Sequence, residues 1–224
     1  MEKIPKLSEM DKKDVPGYIW DYYKIPIILG VALLVGVIWF VHGQLTKKED
    51  VLNVATANCY SLELYEPESL FTGFMEQEGF DPKTQEVVLN TSLSYSENDT
   101  GNPYGMMTLV TVVNSNTIDV MFVDDTLFEE LGHNAAFKPV DEYLTDEEIA
   151  ALGDDVVWAE YDILDEKGEL VGHDKYAAGI RLKSNKWVID SGLYPGYDPI
   201  ITLLTTENER YDTATDFVRY VLSY

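Results

Sequence analysis

Residues Asn114 to Gly132 read NSNTIDVMFVDDTLFEELG, and the apolar run inside this stretch stops on two aspartates. The run is continuous, as in a strand covered on both faces, and a short helical pattern follows at once. A buried strand that feeds straight into a helix is the repeating unit of an α/β fold, because parallel neighbours need crossover connections. It also leaves Asp124 and Asp125 at the carboxyl end of the strand. Two roles compete for them there. Either can cap the helix, where backbone N–H groups and the helix dipole favour an acid, and either can face a ligand; a cap keeps a spare oxygen for the second role.

The same alternation extends to both sides. VLNVATANC (Val51 to Cys59) reads as a first strand. The segment EPESLFTGFMEQEGF reads as a helix, with Pro67 at a first helical position, Leu70, Phe71, Phe74 and Met75 on one face, and Gly79 at the end. TQEVVLNTSLSY is a second strand, and Asn102 with Pro103 opens a buried helix over YGMMTLVTVVNS. TIDVMFVD is the third strand, and Gly132 is placed to close the helix after it. Thr145 and Glu148 have capping-box spacing ahead of a helix that Gly153 stops.

After Gly153 the pattern changes to two β-rich runs around Asp165 to Gly168, a hairpin. SNKWVIDSGLYPGYD is irregular, and PIITLLT is a buried return strand. The last segment places Ala214, Phe217, Val218, Val221 and Leu222 at amphipathic helical spacing. The expected fold is therefore α/β: a mostly parallel sheet of order 2-1-3 plus a return strand, helices on both faces, and a small β-hairpin insertion at about 154–198.

In such a sheet ligands bind beyond the carboxyl ends of the strands, where the strand order reverses. That rule selects Thr56 and Asn58 after the first strand and Asp124 and Asp125 after the third. Trp187, Tyr194 and Tyr197, in the irregular stretch, supply rings that can stack on a sugar or peptide. These seven are the candidate ligand-binding residues.

The chain begins differently. From Ile25 to Thr46 no residue is charged, and Ile25 to Val41 is almost wholly apolar. About 20 such residues cross a bilayer as a helix. Trp20, Tyr22, Tyr23 and Trp39 flank the run as interfacial rings do. Lys3, Lys6, Lys12, Lys13 and Lys24 precede it, against Lys47 and Lys48 just after. The positive-inside bias predicts a cytoplasmic segment at 1–24, a transmembrane helix at 25–46, a linker at 47–50 and an extracytoplasmic domain at 51–224. The small residues near Gly43 also allow a signal-peptide reading, against which stand the long leader and the long apolar run.

Charge divides at the same place. Residues 1–48 carry a net +2 and residues 49–224 a net −26, which together give the −24 of the whole chain. So acidic an exterior disfavours nucleic acid and anionic lipid surfaces as partners. The single cysteine, Cys59, allows no intramolecular disulfide, so the domain must hold by packing. It reads as a small buried hydrophobe rather than a nucleophile. His42, His133 and His173 have no metal-ligand spacing, and Asp162, Asp165 and Gly168 depart from a calcium loop and suit a hairpin turn. No phosphate-binding, hydrolase or dinucleotide motif occurs. The expectation is a protein that is not an enzyme and has no metal or cofactor.

The stretch NTIDVMFVDDTLFEELGHNAAFKPVDEYLTDEE and the ending DPIITLLTTENERYDTATDFVRYVL resemble the type 2 extracellular solute-binding proteins of bacterial ABC importers. The resemblance covers Val51 to Leu152 and Pro199 to Leu222 and lies in order and texture rather than in an invariant motif. It implies a binding domain beside transporter subunits. Members of that family close two lobes on a ligand, whereas Gly153 to Asp198 is too short to stand as a second lobe. The resemblance therefore implies essentially one lobe, a membrane-anchored accessory or binding domain. The alternatives are a conventional sugar or peptide receptor and a structural module of an envelope complex.

The topology is testable. Alkaline phosphatase fused after Tyr224 is expected to be active, and the same enzyme fused ahead of Lys24 inactive; the reverse result would invert the orientation.

Overall fold

The computed structural model describes residues 15–59, 70–95, 109, 111, 113, 115–165, 167–205 and 209–224. They fall into two units, divided between Lys47 and Lys48.

The first unit is a helix, α1 (Val15–Leu45). It begins ten residues before the charge-free run at Ile25 and passes through Pro26, which removes one backbone donor without ending the helix. Within it Tyr23–Gly43, 21 residues, is long and apolar enough to cross a membrane by length and composition. Ile25, Leu29, Leu33 and Trp39 all stand exposed, so among the described residues of this unit nothing covers the helix.

In the second unit the described strands are β1 (Glu49–Ala57), β2 (Gln85–Leu93), β3 (Val120–Val123), β4 (Val156–Leu164), β5 (Leu170–Arg181) and β6 (Ile200–Leu203). The described helices are α2 (Thr72–Glu78), α3 (Asp125–His133), α4 (Asp146–Leu152), α5 (Lys186–Ser191) and α6 (Tyr211–Ser223). Of the helix expected over 104–115, only Leu109, Thr111, Val113 and Ser115 are described, and the first three are helical. Pro67, Asn102 and Pro103 lie outside the described residues.

The strands make one six-stranded sheet, order β2-β1-β3-β6-β5-β4. The 2-1-3 order is present, with β1 parallel to both neighbours. The sheet as a whole is mixed rather than mostly parallel, because β3–β6, β6–β5 and β5–β4 are antiparallel. An apolar run such as PIITLL reports burial on both faces and says nothing of direction, which is where the sequence reading fell short. The hairpin is likewise not an insertion. Ile180 and Arg181 of β5 pair with β6, so β4 and β5 extend the sheet. Beyond that junction the hairpin runs on as a two-stranded arm.

Alternation along the strands builds a core on each face. Leu52, Val54, Val120, Phe122, Ile201 and Leu203 point to the side of α2, α5 and α6, where Phe74, Trp187 and Phe217 fill the layer. Ala55, Ala57, Met121, Val123 and Ile200 point to the side of α3, with Leu127, Phe128 and Phe137. The amphipathic spacing of α6 holds, with Ala214, Phe217, Val218 and Val221 buried and Leu222 half-buried.

Several local signals act as the sequence predicts. Gly79 ends α2 with φ 73, and the capping box of Thr145 and Glu148 opens α4. Asp165 accepts the Lys167 and Glu169 amides in a hairpin turn. Gly132 has a different purpose from the expected one. It lies inside α3, which continues to His133, and a Cβ there would stand 2.7 Å from Cβ of Ala159 on β4. The residue permits close helix–sheet approach rather than termination. The stretch expected to be irregular contains α5, capped by Asn185 and closed by Gly192 at φ 65.

At the amino-terminal end of β3 the carboxylate of Asp119, 2% exposed, accepts from the Asn53 amide at 2.7 Å and from Arg210 Nε at 2.8 Å. It thereby ties β1, β3 and the start of α6. Asp119→Ala is expected to cost about 3 kcal/mol in urea unfolding of the full chain in detergent, because it strands a buried amide and an arginine. A second prediction concerns pH. Arg219 Nε, 2.9 Å from Glu148 Oε1, holds that carboxyl below its usual value of 4.5, with help from the Thr145 amide. The stabilisation is complete at neutral pH and is lost as pH falls through the lowered value, since the unfolded state then binds the proton first. Glu148→Gln should flatten the acid limb of stability measured from about pH 7 to about pH 3.

Candidate functional site

β1 and β3 run parallel and end side by side, so the residues that follow them meet. Asn58 leaves β1 with φ 53, a left-handed conformation that asparagine tolerates better than most residues. Its backbone N–H donates to Leu93 O at 3.0 Å, and its side-chain Oδ1 accepts the Tyr95 amide at 2.8 Å. The amide nitrogen is thereby aimed across the sheet end, where it donates to Asp124 Oδ2 at 2.7 Å.

Asp124 is the N-cap of α3, its Oδ1 accepting the Leu127 amide at 2.8 Å. Each carboxylate oxygen thus has one internal donor and a second acceptor position left. Asp125, one residue on, is used differently. Arg181 grips it with both terminal nitrogens, and its backbone N–H donates to the Tyr197 hydroxyl at 3.0 Å. The Asp125 carboxylate holds the Arg181 guanidinium above its ordinary value. The pair of aspartates is therefore divided, one capping and bridging to Asn58, the other clamping the root of the hairpin.

Tyr194 closes the floor. Its single hydroxyl hydrogen is shared between Ala57 O at 2.9 Å and Phe122 O at 3.1 Å, so one side chain joins the ends of both strands. Burial raises the Tyr194 phenol far above its usual value, and Cys59, Asp124 and Tyr197 add to the shift. Tyr197 is raised as well, chiefly by burial. Both are neutral hydroxyls over the physiological range.

Asn58, Cys59, Asp124, Tyr194, Pro195, Gly196 and Tyr197 line a partly open cleft of about 580 Å³. Of the residues expected at the site, Asn58, Asp124, Tyr194 and Tyr197 meet there. Asp125 touches the rim through Tyr197. Thr56 is buried beneath, donating to Cys59 Sγ at 3.1 Å. Trp187 does not join them. It lies in the core, stacked on Phe122 with ring centroids 5.3 Å apart, because α5 turns its apolar face inward. The sequence reading missed Cys59 as a lining residue and Arg181 as a partner of Asp125, 56 positions away, for which no local pattern exists.

The cleft combines carboxylate and carbonyl acceptors with two phenol rings, a surface that can hold a polar ligand by hydrogen bonds and stacking. Among the described residues no group of three His, Cys, Asp or Glu side chains is placed to hold a metal ion.

The left-handed backbone at Asn58 gives a diagnostic test. Asn58→Gly removes the side-chain bonds without strain and should cost about 1–3 kcal/mol. Asn58→Ala removes them and adds strain, so it should be the less stable variant by urea midpoint, the reverse of the order at ordinary positions. In comparison with known proteins, the chain matches no protein-family model, no curated protein and no solved structure.

Proposed function

We propose that this chain is a membrane-anchored, non-catalytic binding protein. In this reading α1 is the anchor, the N-terminus is cytoplasmic, and the acidic α/β domain lies outside the cell. The domain is an accessory to a transporter or another envelope assembly and resembles one lobe of a type 2 extracellular solute-binding protein. The observation that carries the reading is the cleft over the carboxyl ends of β1 and β3. Open α/β sheets bind ligands at such an end, where the strand order reverses. Here it is built from Asn58, Asp124, Tyr194 and Tyr197.

The mixed sheet favours an accessory over a self-sufficient receptor. The hairpin belongs to the same sheet, so among the described residues no second lobe faces the cleft. A ligand held there keeps one side open, and a partner surface would complete its enclosure. Acceptors on the wall, the Tyr194 ring on the floor and the Tyr197 ring at the rim suit a ligand with N–H or O–H donors, a sugar or a short peptide.

The test is thermal-shift screening of the full chain in detergent against sugars, amino acids and short peptides. A ligand at 100 times its dissociation constant should add about 2.7 kcal/mol. The gain should vanish in Tyr197→Ala and in Asp124→Asn. Stabilisation that survives both substitutions would place the ligand elsewhere and sink the proposal.

A further inference from the structure

At the far end of the sheet from the cleft, where Glu49 pairs with Gln85, a second cavity of about 600 Å³ opens between α2 and β2. Phe71, Met75, Phe80, Val87 and Val88 make it apolar, and Val88 is 37% exposed. Four consecutive strand residues, Gln85 to Val88, line it. Successive strand residues face opposite sides of a sheet, so a cavity that touches all four lies against the strand's edge. Among the described residues β2 pairs only with β1, as the first strand of the sheet order.

Edges of this kind are ordinarily blunted by lysine, proline or a bulge. QEVVLNTSL contains neither lysine nor proline. Two register shifts interrupt the β1–β2 ladder. One lies opposite Glu86 and Val87, where the extra residue belongs to β1, between Asp50 and Leu52; the other lies between Asn90 and Leu93, where it belongs to β2, so β2 itself carries no extra residue from Gln85 to Asn90. A weakly charged edge with no extra residue of its own over Gln85 to Asn90, beside an apolar trough, is the geometry by which sheets accept an added strand. Backbone bonds hold such a strand, and its alternate side chains fill the trough.

Charge selects the occupant. Glu76 and Glu86 stand on the rim, Lys48 is already 3.9 Å from Glu86, and residues 49–224 carry a net −26. A second copy of the chain brings the same negative charge and is repelled. We propose that the β2 edge and its groove bind an extended segment of a partner protein in which apolar residues alternate with basic ones, as a seventh strand. The proposal does not depend on the cleft or on its ligand.

The probe is an eight-residue peptide of alternating valine and lysine with blocked termini, added to the full chain in nanodiscs of neutral lipid. Its control is the valine–glutamate peptide, and the readout is amide hydrogen exchange. The valine–lysine peptide should slow exchange across residues 85–90 by about tenfold and leave residues 58 and 124–127 unchanged. Val88→Asp, at an exposed position where folding is not at stake, should abolish the protection. Glu86→Lys should weaken it and shift preference towards the glutamate peptide. Three outcomes would overturn the proposal: no protection, equal protection by both peptides, or protection without peptide that rises with protein concentration. The last would make a second copy the occupant.

Discussion

The register between β1 and β3 depends on the carboxylate of Asp119. Parallel strands have no tight turn to set their alignment, and a slip of one residue would exchange the two faces of the sheet. Asp119 fixes the alignment at its first residues. Its backbone N–H donates to Asn53 O, its side chain accepts the Asn53 amide, and its carbonyl accepts the Leu204 amide from the end of β6. One residue thereby bonds to β1 and to the residue that follows β6, and so links three adjacent strands of the sheet. With the register set, Val54 stands opposite Val120, and Asn58 and Asp124 come level at the other end. The cleft is a downstream result of a buried ion pair at the opposite end of the same strands.

The two ends also differ in how charge is treated. Asp119 is nearly enclosed, and its compensation comes from Arg210 and a backbone amide, so the pair is a structural fixture. Asp124 is satisfied on one side and open on the other, so it combines a structural duty with spare acceptor capacity. Asp125 is exposed but spoken for by Arg181 and Tyr197. Three aspartates of one short segment thus have three distinct roles, which abundance of acidic residues alone could not distinguish.

What the sequence disclosed follows from range. Gly79, Thr145 with Glu148, and Asp165 to Gly168 are governed by neighbours a few positions away, and their patterns predict the observed geometry. The 2-1-3 order and the meeting of Asn58 with Asp124 were legible because alternating strands and helices imply parallel neighbours. Strand direction in the second half was not legible, since β3, β6 and β5 carry apolar character that serves either direction. Trp187 was misplaced for a related reason. Without sight of α5, an aromatic in a glycine- and proline-rich stretch looks available, whereas Asn185 caps a short helix that turns the ring into the core. Gly132 shows the same limit, its purpose lying in Ala159 on a strand still to come.

The arm formed by β4 and β5 has a mechanical consequence. It is a cantilever, joined to β6 through Ile180 and Arg181 and mostly exposed beyond Ala159 and Tyr176. Bending of such a beam concentrates at its root, and the root contains the same Arg181 that grips Asp125 beside Tyr197. A pull on the distal hairpin is therefore delivered to the rim of the cleft along a covalent path of one strand and a single ion pair.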